Sequence, residues 1–169
     1  MSRSKLDVVT NIAILLTCVI ASTVLVRREF FAPAPAPPPG TVNAGERFDA
    51  LRAAVPAGAE RAMVLALAPG CHFCNDSMGF YKDLIARRDR SRSPVKVVAA
   101  VSSGEARAPE ASKLAASGVK PDAVVQLDFR AVKLQGTPTV LLVDRQGKVL
   151  SVWVGLLDAR SQDQVLSRL

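Results

Sequence analysis

The chain has 169 residues, a length suited to one domain of ordinary size plus attachments. Apolar residues make up 49% and aromatics only 5%, so a single core is within reach and must be built mostly from Ala, Val and Leu. The formal charge is +7, but the basic residues are scattered, and the stacking aromatics of a nucleic-acid surface are missing, so no nucleic-acid partner is expected.

The N-terminus carries the first strong signal. Val8–Val26 (VVTNIAILLTCVIASTVLV) is 19 uncharged residues, close to the roughly 20 needed to cross a bilayer as a helix. Arg3 and Lys5 precede it, and Arg27 and Arg28 follow. A cleaved signal peptide fits less well, because the apolar run exceeds the usual ~7–15 residues and Pro follows each small residue of Ala32-Pro33-Ala34-Pro35-Ala36. Residues 1–29 are therefore expected to be a short tip and an uncleaved transmembrane anchor. Cys18 reads as a small apolar residue within it. Two basic residues on each side leave the orientation open. Phe30–Gly40 (FFAPAPAPPPG) cannot form a helix and favours polyproline II, a semi-rigid spacer of roughly 30 Å. It opens a linker assigned to residues 30–42, before a globular domain over residues 43–169.

Within the domain, Phe48, Leu51 and Val55 share one face of a helix predicted over Ala44–Val55. Ala62–Ala68 is a short apolar run, consistent with a strand buried on both faces, and Pro69-Gly70 ends it. From Cys71, a helical pattern places Cys74, Met78, Tyr81 and Ile85 on one side and stops at Ser91–Pro94. The basic cluster Arg87–Arg92 falls at this helix end, where cations sit favourably beside the carbonyl pole. Val95–Val101 is a second buried strand. Pro109–Ser117 is a helix with Pro109 as its first residue and Gly118 as its stop. Ala123–Leu127 is extended, and one turn of helix follows at Phe129–Lys133. Thr139–Val143 and Val149–Val154 form a hairpin about Asp144-Arg145-Gln146-Gly147. Asp158–Leu169 is a last helix, N-capped by Asp158, with Val165, Leu166 and Leu169 as its packing face. A βαβ unit followed by a hairpin makes an α/β fold: a mixed sheet flanked by helices.

The chemistry lies in Cys71-His72-Phe73-Cys74, which follows a buried strand and opens a helix. Two residues between cysteines at a helix start let the sulfurs meet, and the free N–H groups there stabilise a thiolate on the first. Cys71 is then the nucleophile of thiol–disulfide exchange and Cys74 the more buried resolving thiol. His72, if partly positive, would add to the thiolate's stability and make the pair more oxidising; otherwise it is an exposed loop residue. Phe73 is either a packing residue or an apolar rim for a substrate chain. A structural zinc needs about four ligands, and only His72, Cys18 and carboxylates remain to complete one. Copper held by both thiols stays open, as does a purely structural disulfide, although so short a link restrains little chain entropy.

The strand, the Cys71-x-x-Cys74 helix start and Gly136-Thr137-Pro138-Thr139 before a hairpin together resemble the thioredoxin fold. With an anchor and a proline-rich spacer in front, Arg47–Leu169 is most similar to the membrane-anchored thioredoxin-like reductases of the bacterial cell envelope, including those of the cytochrome c maturation type. The resemblance implies a cis peptide before Pro138, a state of only about 5–6% of X–Pro bonds in general. It also implies a Thr137 backbone that pairs with a substrate strand. No cofactor is implied beyond a redox-active Cys71–Cys74 disulfide, and no metal. The implied partners are a disulfide-bearing protein substrate and a membrane electron donor for the thiols, with the chain itself a monomer. Disulfide exchange belongs in an oxidising compartment. Met1–Asp7 is thus expected in the cytoplasm and Arg27 onward in the periplasm, on a single-pass inner-membrane anchor. A copper-handling or assembly-factor module, or a disulfide oxidant or isomerase, is the alternative. The sequence departs from the family at Gly70, where Trp is common, and at Leu65, where thioredoxin has a buried Asp. Asp76 is an acid near the cysteines without a clear counterpart.

Overall fold

The computed structural model describes residues 11–23 and 40–169. Helix α1 occupies residues 11–23. Among the described residues no helix is long and apolar enough to cross a membrane. The expected span Val8–Val26 runs past the described residues at both ends, and its flanking charges and most of the proline-rich linker lie outside them. The chain divides into two compact units, Met1–Pro37 and Pro38–Leu169.

The second unit is built on a five-stranded mixed sheet in the order β3-β2-β1-β4-β5. Its elements are α2 (Asp49–Ala54), β1 (Arg61–Leu67), α3 (His72–Asp76), α4 (Met78–Ser91), β2 (Lys96–Ser102), α5 (Arg107–Ala116), β3 (Ala123–Leu127), β4 (Thr139–Asp144), β5 (Val149–Val154) and α6 (Ala159–Leu166). Strands β1, β2 and β3 run parallel, β4 runs antiparallel to β1, and β5 runs antiparallel to β4. This is the mixed, helix-flanked α/β sheet expected from the βαβ-then-hairpin order.

The period of two along the central strands builds two cores. Met63, Leu65 and Leu67 of β1 pack with Val97 and Ala99 of β2, Val140 and Leu142 of β4, and Leu84 of α4. Ala62 and Val64 point the other way, with Val98, Ala100, Leu141 and Val143, onto Leu51 of α2 and onto Val42 and Val132. Val42 is 4% exposed, so packed chain reaches back into the segment read as linker.

Several expectations are corrected. The helix predicted over Ala44–Val55 begins only at Asp49. Gly45 adopts φ +96°, and residues 45–48 instead bond to the β5 side of the hairpin: Gly45 and Phe48 N–H donate to the carbonyls of Val149 and Gly147, and Val149 N–H donates to that of Glu46. The single helix predicted from Cys71 is two, divided at Ser77, whose Oγ donates to the Phe73 carbonyl one turn back at 2.8 Å. Such back-bonding bends helices. Helix α5 starts at Arg107, so Pro109 is its third residue, still within the first turn where no N–H is needed. At Phe129–Lys133 one i→i−4 bond forms, from Val132 N–H to the Asp128 carbonyl, but Lys133 at φ +55° stops propagation and no helix results. Helix α6 ends at Leu166, three residues short of the expected end, while Asp158 caps its start by accepting from Ser161 N–H at 2.8 Å.

Gly147 closes the β4–β5 turn at φ +76° and is pressed against α2: a Cβ there would lie 2.3 Å from the Phe48 carbonyl oxygen and 2.7 Å from Arg52 N. Gly147→Ala is expected to lower the unfolding free energy by about 2–4 kcal/mol in urea titration. Asp122 ties the start of β2 to the end of α4. It accepts from Val97 N–H at 2.8 Å and pairs with Lys96 and Arg88. Burial works to raise its carboxyl, and the Val97 N–H, Lys96 and Arg88 outweigh it, so its pKa is held below the usual carboxylate value. A depressed carboxyl contributes stability above its unfolded pKa and loses it as pH falls through the folded one. Asp122→Asn should therefore cost about 1–2 kcal/mol at neutral pH. The difference from wild type should close in acid, as read from unfolding curves across pH.

Candidate active site

The sheet register brings two loops together. Ala66 of β1 lies opposite Thr139 of β4, so the chain leaving β1 toward Cys71 runs beside the chain entering β4 from Pro138. Cys71 is the N-cap of α3 and Cys74 sits in its first turn. Their sulfurs form a disulfide, with S–S 2.26 Å and Cα atoms 5.2 Å apart. Cys74 is fully buried, whereas Cys71 is half-buried at the rim of the first core.

Cys74 N–H donates to Cys71 Sγ at 3.1 Å. This free helix-start donor is aimed at the atom that carries negative charge once the pair is reduced. Across the gap, Cys71 Sγ lies 3.5 Å from the Thr137 carbonyl oxygen. The Thr137–Pro138 peptide is cis, as the resemblance implied. The loop is pinned on both flanks: Gly155 N–H donates to the Pro138 carbonyl at 2.7 Å, and Thr139 Oγ1 to that of Gly136 at 2.8 Å. Thr137's own N–H and carbonyl enter no backbone hydrogen bond among the described residues.

The middle residues point outward. The His72 side chain is 81% exposed, and its Nε2 faces Asp76 Oδ2 at 3.4 Å, one turn along α3. Phe73 is 53% exposed, with its ring centroid 5.8 Å from that of His72. Phe73 is therefore no core residue, and its exposed ring lies beside that of His72, between the two cysteines in sequence. Beneath the pair, Leu65 and Cys74 share one apolar cluster. Ser77 and Tyr81 follow Cys74 on the buried side, and burial pushes the Tyr81 phenol up to about 12 against the opposing Ser77 hydrogen bond. Among the described residues no three His, Cys, Asp or Glu side chains gather where a metal could be held.

The six residues singled out from sequence, Cys71, His72, Phe73, Cys74, Thr137 and Pro138, thus lie around one disulfide, while Cys18 is a free, exposed cysteine of α1. Sequence reasoning missed Gly155 and the Ser77 break. Gly155, at φ +83°, directly follows the predicted strand Val149–Val154 and bears no side chain to draw notice. Ser77 was hidden inside an unbroken helical period.

A family model for the thioredoxin-like domain matches residues 48–169. Among solved structures, a candidate protein disulfide isomerase from Bacteroides thetaiotaomicron matches with TM-score 0.55 and 16% identity, covering 75% of this chain and 87% of that one. A candidate thiol:disulfide interchange protein DsbE from Chlorobium tepidum matches with TM-score 0.50 and 24% identity, covering 65% and 79%. StoA from Bacillus subtilis matches with TM-score 0.50 and 13% identity, covering 65% and 84%. At these identities the likeness is one of fold. No curated protein sequence matches the chain. The family match spans the sheet, the Cys71–Cys74 disulfide and the cis-proline loop alike, and on it the chain belongs to the thioredoxin-like domain family.

Proposed function

We propose that the protein is a membrane-tethered thiol–disulfide oxidoreductase that reduces protein disulfides in the periplasm. The observation that carries this reading is the placement of a half-buried Cys71 sulfur 3.5 Å from the carbonyl of a cis-proline loop whose Thr137 makes no backbone–backbone hydrogen bond among the described residues. A substrate strand laid along Thr137 would present its disulfide to Cys71, with Phe73 as an apolar rim.

The Cys71 thiolate attacks one sulfur of the substrate disulfide. That S–S bond breaks, a mixed disulfide forms, and the departing substrate thiolate takes a proton. Cys74 then loses its proton and attacks Cys71 Sγ, closing the Cys71–Cys74 disulfide and releasing the second substrate thiol. The substrate gains two electrons and the pair loses two, to be returned by a membrane dithiol donor. No other cofactor is required. His72, next to Cys71 in sequence, turns its ring toward Asp76 and stands at the solvent side of the pair.

The uncharged run Val8–Val26 supports a single-pass anchor in the inner membrane, with Met1–Asp7 in the cytoplasm. The chemistry of a disulfide couple supports placing the folded unit in the periplasm.

In a Cys74→Ser chain, mixed disulfides through Cys71 should accumulate in native membranes and vanish on reduction. The reading fails if none is trapped and the wild-type chain also leaves insulin disulfides intact. The direction of electron flow is set by the potential of the couple against glutathione. A value near −270 mV marks a reductant, and one near −120 mV marks an oxidant. In the reduced protein, iodoacetamide should modify Cys71 at least about tenfold faster than the buried Cys74, as followed by mass spectrometry.

A further inference from the structure

The segment between β3 and β4 ends in Thr137–Pro138, yet it contains no helix or strand. Besides its own turn bonds and the Gly155 and Thr139 bonds at its end, it is held by a distant part of the chain. Gln135 Nε2 donates to the Gly40 carbonyl at 3.0 Å, two residues before Thr137. Val42 N–H donates to the Lys133 carbonyl at 3.1 Å, and Val42 is buried in the second core beside Val132. Lys133 Nζ pairs with Glu46 Oε1 and lies 5.8 Å from the centre of the Phe48 ring. Glu46 Oε2 in turn accepts from Asn43 N–H at 2.8 Å. Residues 40–46 thus form a strap across the run that leads into the cis-proline loop. Lys133 itself adopts φ +55°, uncommon for a residue with a side chain, held by local turn bonds from Lys133 N–H to the Arg130 carbonyl and Leu134 N–H to the Phe129 carbonyl together with the Val42 bond. The Lys133 hydrogen bond, followed by the Asn43 N–H, holds the Glu46 carboxyl below its usual range.

We propose that Glu46, Lys133 and Gln135 are positioning residues that set Thr137 for pairing with a polypeptide substrate, and so give the site its preference for extended chains over small disulfides. The proposal rests on the oxidoreductase reading above. A small disulfide needs only the Cys71 sulfur, whereas an extended chain needs that sulfur and the Thr137 backbone in register. Misplacing a binding group by a fraction of an ångström weakens only the reaction that uses it.

The test compares full-length wild type with Glu46→Gln and Gln135→Ala on two oxidised substrates: a disulfide-bonded peptide and dithiobis-nitrobenzoate. The expected result is a rise of about tenfold in KM for the peptide, with the rate on the small disulfide held within about twofold. The reduction potential of the couple should not move. Gln135→Ala keeps the test available if Glu46→Gln does not fold, and Asp122→Asn serves as a variant weakened away from the loop. Equal loss on both substrates, no loss on either, or the same split in Asp122→Asn overturns the proposal. A wild-type chain that reduces neither substrate overturns the oxidoreductase reading and this one with it, whereas active wild type with unsplit variants overturns this one alone.

Discussion

Antiparallel pairing of β1 with β4 decides what Cys71 can touch. The register Leu65↔Val140 and Ala66↔Thr139 sets the end of one buried strand beside the start of another. Both strands are held from either face by side chains that alternate with the pleat, and a slip of one residue would turn each of them onto the wrong core. The two loops that leave these strand ends therefore have no freedom to drift apart. The approach of the disulfide to the Thr137 carbonyl follows from that pairing, and the Gly155 contact from the pairing of β4 with β5. The reactive groups sit at a helix start and on an irregular loop, and the central strands set the two side by side.

The rest of the site is supported from further away. One flank of the cis-proline loop rests on Gly155, at the end of the edge strand β5, and the other on the strap of residues 40–46. The same stretch, at residues 45–48, runs along the opening of β5 and delivers Phe48 to the β4–β5 turn at Gly147. A short piece of chain before α2 thus bonds to both the hairpin turn and the β3–β4 connection. This accounts for the burial of Val42 in a region whose composition reads as spacer.

Much of the architecture was legible because it is written in local pattern. Apolar runs bounded by Pro and Gly marked β1 and β2 to within a residue, and Ala123–Leu127 coincided with β3. The cysteines could be placed at a helix start because a buried strand and a Pro-Gly break stand directly before them. The cis-proline loop was legible only by resemblance, since nothing in the composition of Gly-Thr-Pro-Thr favours the cis state. The strap was not legible at all: Glu46 and Lys133 are 87 residues apart, and their pairing depends on how far the β3–β4 connection crosses the sheet. The helix predicted over Ala44–Val55 failed for the same reason, because the hydrogen bonds that Gly45 and Phe48 make to the hairpin outweigh a three-residue apolar period. Ser77 was missed because a side chain bonding to its own helix leaves no trace in hydrophobic spacing.

Leu65 has a consequence for the timing of exchange. A neutral thiol at Cys74 rests comfortably on an aliphatic floor that includes Leu65, whereas a thiolate formed there would carry its charge into apolar surroundings. Under the exchange proposed above, ionisation of the second cysteine would set the pace, and the covalent complex with the substrate would outlive the attack that made it. A chain that works this way would hold its partner by a sulfur bond for longer than a pair with a buried acid beneath it.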